Sequence, residues 1–220
     1  MSLLRPSEFD LVEAPARPET FYQKHLKRGF DFAAALGLIL AVSPILIVAA
    51  VLVMLDGHSP VFVQERIGRN GRLFRMLKLR SMVPDAAGAL QRHLAGNTEA
   101  RLEWDETQKL RKDPRITWIG RFLRKTSIDE LPQLFNVLTG DLSLVGPRPL
   151  LPSQLVMYPG RAYFGMVPGL TGLWQVEGRS ETAIPDRARY DRRYADRVSF
   201  WRDLSILLRT FGAVARATGV

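Results

Sequence analysis

The chain has 220 residues, 46% of them hydrophobic and 24% charged, which suits one domain with appendages and excludes a disordered protein. Lys and Arg outnumber Asp and Glu by 31 to 22, and the net charge of +9 favours an anionic partner: nucleic acid, an anionic membrane surface or a phosphorylated substrate. The absence of cysteine excludes disulfides, a thiolate metal site and a cysteine nucleophile and fits a cytoplasmic location, while His25, His58 and His93 lack the spacing of a zinc site.

Residues 1–23 read as a flexible leader, with three prolines and mixed charges in the first twenty positions. Glu8, Asp10, Glu13 and Glu19, together with the late start of the apolar run, argue against a cleaved signal peptide.

Phe32–Leu55 is a run of 24 residues without a charge, longer than the roughly 18–20 that a spanning helix needs. A small soluble domain has no core large enough to bury a helix that is apolar all round, so membrane contact is expected. Spanning is a separate question. Pro44 lacks a backbone donor and crowds the carbonyl of Leu40, and the Ser43 hydroxyl beside it can satisfy a freed backbone group. Ser43 and Pro44 divide the run into halves of 12 residues. Each half is about 18 Å long if helical, short of a bilayer core of roughly 30 Å. Lys24, Lys27 and Arg28 precede the run; Arg66, Arg69, Arg72, Arg75, Lys78 and Arg80 follow it. A spanning helix carries its basic excess on one side only. The expectation is a re-entrant helix–break–helix over residues 24–58, broken at Ser43-Pro44, with a kinked spanning helix as the alternative.

Residues 59–220 are expected to form a small folded domain. Val61–Met82 reads as a β-hairpin around Asn70-Gly71, a strong tight-turn pair. Asp85–Lys112 is polar and helix-forming, consistent with one or two surface helices. Asp113–Leu151 is the densest stretch of charge, Gly and Pro, Tyr158–Ser180 is loop-rich, and Asp186–Thr210 returns to helical spacing. The last helix sets Phe200, Trp201, Leu204, Leu207, Leu208 and Phe211 mainly along one side, which suits either a membrane interface or the domain core. The expected fold class is α/β of the α+β kind, mostly helical, with interfacial amphipathic helices.

Ser127-Ile128-Asp129-Glu130 is the most suggestive chemistry. Adjacent carboxylates with Arg115, Arg121, Arg124 and Arg148 nearby suggest acidic groups acting on a phosphorylated ligand, by direct attack on phosphorus or by holding Mg²⁺ against a diphosphate. The same residues also read as a capping box, with Ser127 capping a helix and Glu130 reaching back, and a helix start also favours phosphate. In Gly146-Pro147-Arg148-Pro149 the two prolines stiffen the backbone around an arginine suited to two-pronged phosphate contact; a structural turn with a solvated Arg is the bland alternative.

Residues 64–82 (QERIGRNGRLFRMLKLRSM), 113–149 (DPRITWIGRFLRKTSIDELPQLFNVLTGDLSLVGPRP) and 168–180 (PGLTGLWQVEGRS) resemble the bacterial sugar transferase family, the monotopic phosphoglycosyl transferases, in order and over residues 24–212. The resemblance implies a membrane enzyme that moves a sugar-1-phosphate from a UDP-sugar to polyprenyl (undecaprenyl) phosphate and releases UMP, initiating exopolysaccharide, capsule or O-antigen assembly. It implies Asp129 as a nucleophile that forms a covalent phosphosugar intermediate, Glu130 as its assistant, Mg²⁺ as cofactor held at Asp129 and Glu130, and Arg148 as a phosphate ligand. With Lys78, Arg80, Arg121 and Arg115, Arg148 makes up the expected phosphate-binding set. It also implies a re-entrant break at Ser43-Pro44 and a catalytic domain on the cytoplasmic face of the bacterial inner membrane. Glucose or galactose is the expected sugar, and a homo-oligomer stays open. Two other readings compete. A non-catalytic basic membrane adaptor leaves Asp129-Glu130 unexplained. Nucleic-acid binding leaves the apolar segment unexplained and has no recognised reading motif.

Overall fold

A computed structural model describes residues 19–107, 110–178 and 184–215. Residues 1–18 of the expected leader and Arg179-Ser180 of the third motif lie outside the described residues. A single π-helical turn, Tyr22–Leu26, leads into helix α1, Lys27–Met54. Strands β1 (Val61–Ile67) and β2 (Leu73–Leu79) follow, then helices α2 (Ala86–Gly96), α3 (Thr98–Thr107), α4 (Trp118–Thr126) and α5 (Gln133–Thr139). Strands β3 (Ser143–Val145) and β4 (Gly169–Thr171) precede α6 (Leu173–Glu177), α7 (Ile184–Ala195) and α8 (Phe200–Ala215). The protein is mostly helical with two small sheets, in line with the expected class.

Helix α1 runs without interruption through Pro44. The missing hydrogen bond is replaced locally: Ser43 Oγ donates to Leu40 O at 3.0 Å, the carbonyl that Pro44 leaves unserved. The expected division into two separate helices is therefore absent; the Ser-Pro pair repairs the ladder and does not end it. Most of the apolar surface of α1 faces outward, Leu40 at 68% and Ile47 at 62% exposure among it. Both ends nevertheless pack on the same folded body. Ala35 belongs to the main core with Leu134, Val137, Leu144 and Ile206, while Ala49 and Val53 pack against Leu79, Ile119 and Leu123.

Polar clamps fix the two ends. Near the start, the Arg28 guanidinium donates to Val137 O (2.5 Å) and Leu138 O (2.7 Å), serving carbonyls at the C-terminal end of α5. Asp203 is fully buried and accepts from Lys27 Nζ (2.5 Å), Tyr194 OH (2.7 Å) and Tyr22 OH (3.0 Å), tying α1, α7 and α8 together. Asp31 accepts from Ser143 Oγ at 2.7 Å and from the Leu144 N–H at 3.2 Å, which joins α1 to β3. Just past the other end, Arg80 donates to both Asp56 oxygens (2.6 Å each) and to Val53 O (3.1 Å).

The hairpin forms as expected. Asn70 (φ 58°) and Gly71 (φ 75°) both occupy the left-handed region, the conformation that an Asn-Gly pair adopts with least strain. β1 and β2 pair antiparallel, with Arg66 opposite Phe74. Side chains alternate between faces, so Lys78 shares a face with the buried Phe74 and Met76. Asn136 of α5 locks onto this hairpin, accepting from the Leu77 N–H (3.0 Å) and donating to Arg75 O (2.9 Å).

β3 and β4 form a short parallel pair, Ser143 opposite Gly169 and Val145 opposite Thr171. The chain crosses itself there at very close range: a Cβ on Gly169 would lie 2.1 Å from Gly146 N. That contact requires glycine and joins the Gly-Pro-Arg-Pro turn to the third motif.

Candidate active site

Helix α4 ends at Ser127, whose backbone turns left-handed (φ 57°). A 3₁₀ turn, Ile128–Glu130, follows, and α5 starts only at Gln133. Ser127 thus closes a helix and does not open one. Its side chain makes no cap, and the Glu130 carboxylate turns to Lys78, so the capping-box expectation fails. The apolar face of α4, Ile119 and Leu123, is already spent on the second core cluster, and the chain must turn to reach α5.

The turn places the two carboxyls in different surroundings. Asp129 is buried, 7% exposed. Burial pushes its carboxyl up to about 6; Glu130 adds to the rise, while Lys78 and Arg124 oppose it. Glu130 accepts a hydrogen bond from Lys78 Nζ at 2.7 Å. Burial raises Glu130 too, but Lys78, Arg148 and Arg66 outweigh it and hold the group below the ordinary carboxylate range. Adjacent acids with separated titrations are the arrangement that divides roles between two carboxyls.

A narrow cleft with a free volume of about 10 Å³ lies beside Glu130, bordered by Arg66, Lys78, Gln133, Arg148 and Gln175. Arg66 reaches in from β1, steadied by Pro149 O (3.1 Å) and Gln64 Oε1 (2.6 Å). Burial, then the neighbouring Arg148 and Arg187, lower its guanidinium to about 10. Arg148 lies 5.9 Å above the Trp174 ring and Arg187 4.6 Å from the same ring. Arg187 also donates to Arg148 O at 3.1 Å. Burial and Arg148 push the Arg187 guanidinium down, against the attraction of Asp191. Three cations, Lys78, Arg66 and Arg148, thus converge near one ionised Glu130, with Arg187 beside Arg148, a surplus that suits a multiply charged anion. Tyr163 braces the cleft from behind, its hydroxyl donating to Ile67 O and accepting from the Leu150 N–H.

Of the residues singled out in the sequence, the structure brings together Asp129, Glu130, Lys78 and Arg148. Three others stand elsewhere. Arg80 is committed to Asp56 and Val53 O at the end of α1. Arg115 chelates Asp113 (2.6 Å and 2.8 Å) and stacks 4.9 Å from Trp104. Arg121 points outward on α4, exposed and away from the cleft. Each has the charge for phosphate, but two are already neutralised by a local carboxylate. Arg66, Arg187, Trp174 and Gln175 are the additions. A signal for Arg187 lay in α7, where Arg187, Asp191 and Tyr194 recur at i, i+4 and i+7 as a buried polar stripe.

Among the described residues no group of three or more His, Cys, Asp or Glu side chains gathers as a metal cage. Mg²⁺ commonly binds through one or two carboxylates with waters and substrate phosphates, and Asp129 with Glu130 is a donor set of that kind.

The bacterial sugar transferase family model matches residues 22–217. The chain is 46% identical to the UDP-galactose-lipid carrier transferase of Erwinia amylovora over 198 residues, covering 89% of this chain and 42% of the relative. It is 43% identical, with the same coverage, to the undecaprenyl-phosphate galactose phosphotransferase of Salmonella typhimurium. The exopolysaccharide production protein ExoY of Sinorhizobium fredii is 41% identical over 88% of this chain and 87% of its own length. The chain therefore spans less than half of the first two relatives (42%) and nearly the whole of the third (87%). By the family match over almost its entire length, the chain belongs to the bacterial sugar transferases.

Proposed function

We propose that the protein transfers a sugar-1-phosphate from a UDP-sugar to undecaprenyl phosphate, releasing UMP and beginning the assembly of an exopolysaccharide. The observation that carries this reading is the pair Asp129-Glu130: a buried carboxyl with a raised titration beside a cation-paired one that lines a cleft with Arg66 and Arg148. The names of the Erwinia and Salmonella relatives favour galactose as the first sugar to test, with glucose next from the name of a Komagataeibacter xylinus relative.

In the first half-reaction an ionised Asp129 oxygen attacks the sugar-bearing phosphorus. The bond from that phosphorus to the bridging oxygen breaks, and UMP leaves with the electron pair. In the second, an oxygen of undecaprenyl phosphate attacks the same phosphorus and the Asp129 carboxylate is released. Lys78, Arg66 and Arg148 supply fixed positive charge to the diphosphate as charge moves onto the leaving UMP. Asp129 and Glu130 would hold Mg²⁺, which when bound neutralises phosphate charge.

The protein is further proposed to work at the cytoplasmic face of the inner membrane, with the continuous helix α1 entering one leaflet and bending at Ser43-Pro44 so that both ends stay on that face. A straight helix of 28 residues would be about 42 Å long, enough to put its ends on opposite sides of a bilayer. Yet one end is held by α5 and the other by β2, and α5 and β2 are hydrogen-bonded to each other through Asn136. Exposed Trp118 and Phe122 on α4 and exposed Trp201, Leu208 and Phe211 on α8 supply further apolar surface near opposite ends of α1.

The direct test is UMP release from UDP-galactose by purified protein with undecaprenyl phosphate and Mg²⁺. Asp129→Asn is expected to abolish release and any covalent ³²P-phosphosugar adduct. Full activity in that variant removes Asp129 as nucleophile. A folded wild-type protein that turns over no UDP-sugar favours the adaptor role.

A further inference from the structure

Among the described residues, three buried side-chain polar atoms have no hydrogen-bond partner: Arg66 Nε, Trp174 Nε1 and Gln175 Oε1. Such atoms are rare in folded proteins because desolvation is left uncompensated, and each calls for an explanation. All three belong to the same place. Arg66 and Gln175 border the cleft beside Glu130, and Trp174 is the ring beneath Arg148 and Arg187. Their clustering points to bonding capacity kept for a ligand.

The three atoms do not ask for the same chemistry. Arg66 Nε–H and Trp174 Nε1–H are donors, and phosphate or carbonyl oxygens satisfy them. Gln175 Oε1 is an acceptor. The other end of its amide, Nε2, faces Leu170 O. An ionised diphosphate has no proton to offer, so it cannot satisfy Gln175. We propose that Gln175 reads a hydrogen-bond donor of the nucleotide sugar, a hydroxyl or the imide N–H of the base, next to the phosphates held by the arginines. This rests on the transferase reading above and deepens it by assigning a specificity residue.

Two features make the residue suited to this role. The cleft's free volume of about 10 Å³ is far below the roughly 300–1,000 Å³ of ordinary ligand sites, so a nucleotide sugar must widen it and uncover its walls. Gln175 is lightly held for such a movement, its one bond to Leu170 O being long at 3.4 Å. Residue 172 beside it is a glycine, and a Cβ there would come within 3.0 Å of Gln175 Oε1.

The test compares the wild type with Gln175→Met, which keeps the size and removes the acceptor, in binding assays with UDP-galactose, UDP and inorganic diphosphate. UDP-galactose affinity is expected to fall roughly tenfold, with diphosphate binding unchanged. An equal fall for UDP places the donor group in the nucleoside; an unchanged UDP affinity places it in the sugar. No loss for UDP-galactose, or a parallel loss for diphosphate, overturns the proposal. A fold-independent arm uses wild-type protein with UDP-galactose methylated at the base N3 or deoxygenated at single hydroxyls. One such analogue must bind roughly tenfold more weakly, and if none does the proposal is lost. Wild-type protein that binds diphosphate but no UDP-sugar is a different result, and it overturns the transferase reading itself.

Discussion

Lys78 Nζ lies 2.7 Å from Glu130 Oε1, and with Arg148 and Arg66 it holds that carboxyl down while burial lifts its chain neighbour Asp129. Glu130 is held ionised by its partner. Asp129, turned into the protein, is left to the effect of burial and titrates near 6.

The pH dependence follows from that value. A nucleophilic Asp129 must be ionised, so kcat/KM is expected to fall below about pH 6 with one acid limb. Stability runs the other way. The folded carboxyl at about 6 lies above its ordinary 3.8, so the folded state binds the proton more tightly. The stabilisation is complete below pH 3.8 and is lost as pH rises through 6. Asp129→Asn should therefore stabilise the protein at pH 8, by up to about 3 kcal/mol, and change it little at pH 4. Denaturant melts at the two pH values check the order, and the reverse order refutes the burial argument.

Removing Lys78 should disturb both carboxyls. Lys78 lowers the titration of Glu130 and also that of Asp129. Lys78→Met is expected to cut turnover at least about 100-fold and to move the acid limb upward, because the two acids then compete for one site. Lys78→Arg retains the charge and part of the activity. An acid limb that stays in place in Lys78→Met counts against the assignment.

Two arginines that look alike in the sequence should fail differently. Arg80→Met removes the clamp on Asp56 and Val53 O, so the melting temperature drops by a few degrees while the donor KM holds. Arg148→Met removes a cleft cation, so the donor KM rises about tenfold or more with little change in melting. Exchanged phenotypes would show that Arg80, not Arg148, faces the substrate.

Gly120 tests the packing beneath the site. A Cβ there would lie 1.9 Å from Ser81 O, a backbone atom that cannot swing aside. Gly120→Ala should cost about 3 kcal/mol, the upper end of ordinary overpacking, in equilibrium unfolding. A neutral result would mean that α4 can move away from the Ser81 segment that follows β2.

The native absence of cysteine makes topology accessible to single-cysteine labelling. Cysteines introduced at Gln23 and His58 are expected to react with an impermeant maleimide from the same, cytoplasmic side. Labelling from opposite faces in intact and inverted vesicles would establish a spanning helix.

The local parts of this fold were legible in the sequence. Asn70-Gly71 announced the hairpin because the needed backbone angles suit few other residues, and the Ser43 hydroxyl meets the Leu40 carbonyl as the chemistry of a helical proline suggests. Long-range pairing was not legible. Nothing near Arg80 in the chain says that its guanidinium will be occupied by Asp56, 24 residues earlier. Ser127 and Glu130 had the spacing of a cap, yet a lysine 52 residues away took the carboxylate. Arg187 escaped notice because its polar stripe reads in sequence like a solvated face, and Gln175 because an uncharged amide on the short α6 carries no sign of its surroundings.

Asp203 has a consequence for how the chain assembles during synthesis. Lys27 and the Asp203 carboxylate that it meets are 176 residues apart. At roughly 5–20 residues per second, a ribosome needs about 10–35 s to cover that distance. Throughout that interval the apolar helix has emerged while its fastening to α7 and α8 does not yet exist. Helix α1 must therefore find its surroundings as an independent segment, and the domain then closes around a helix already in place.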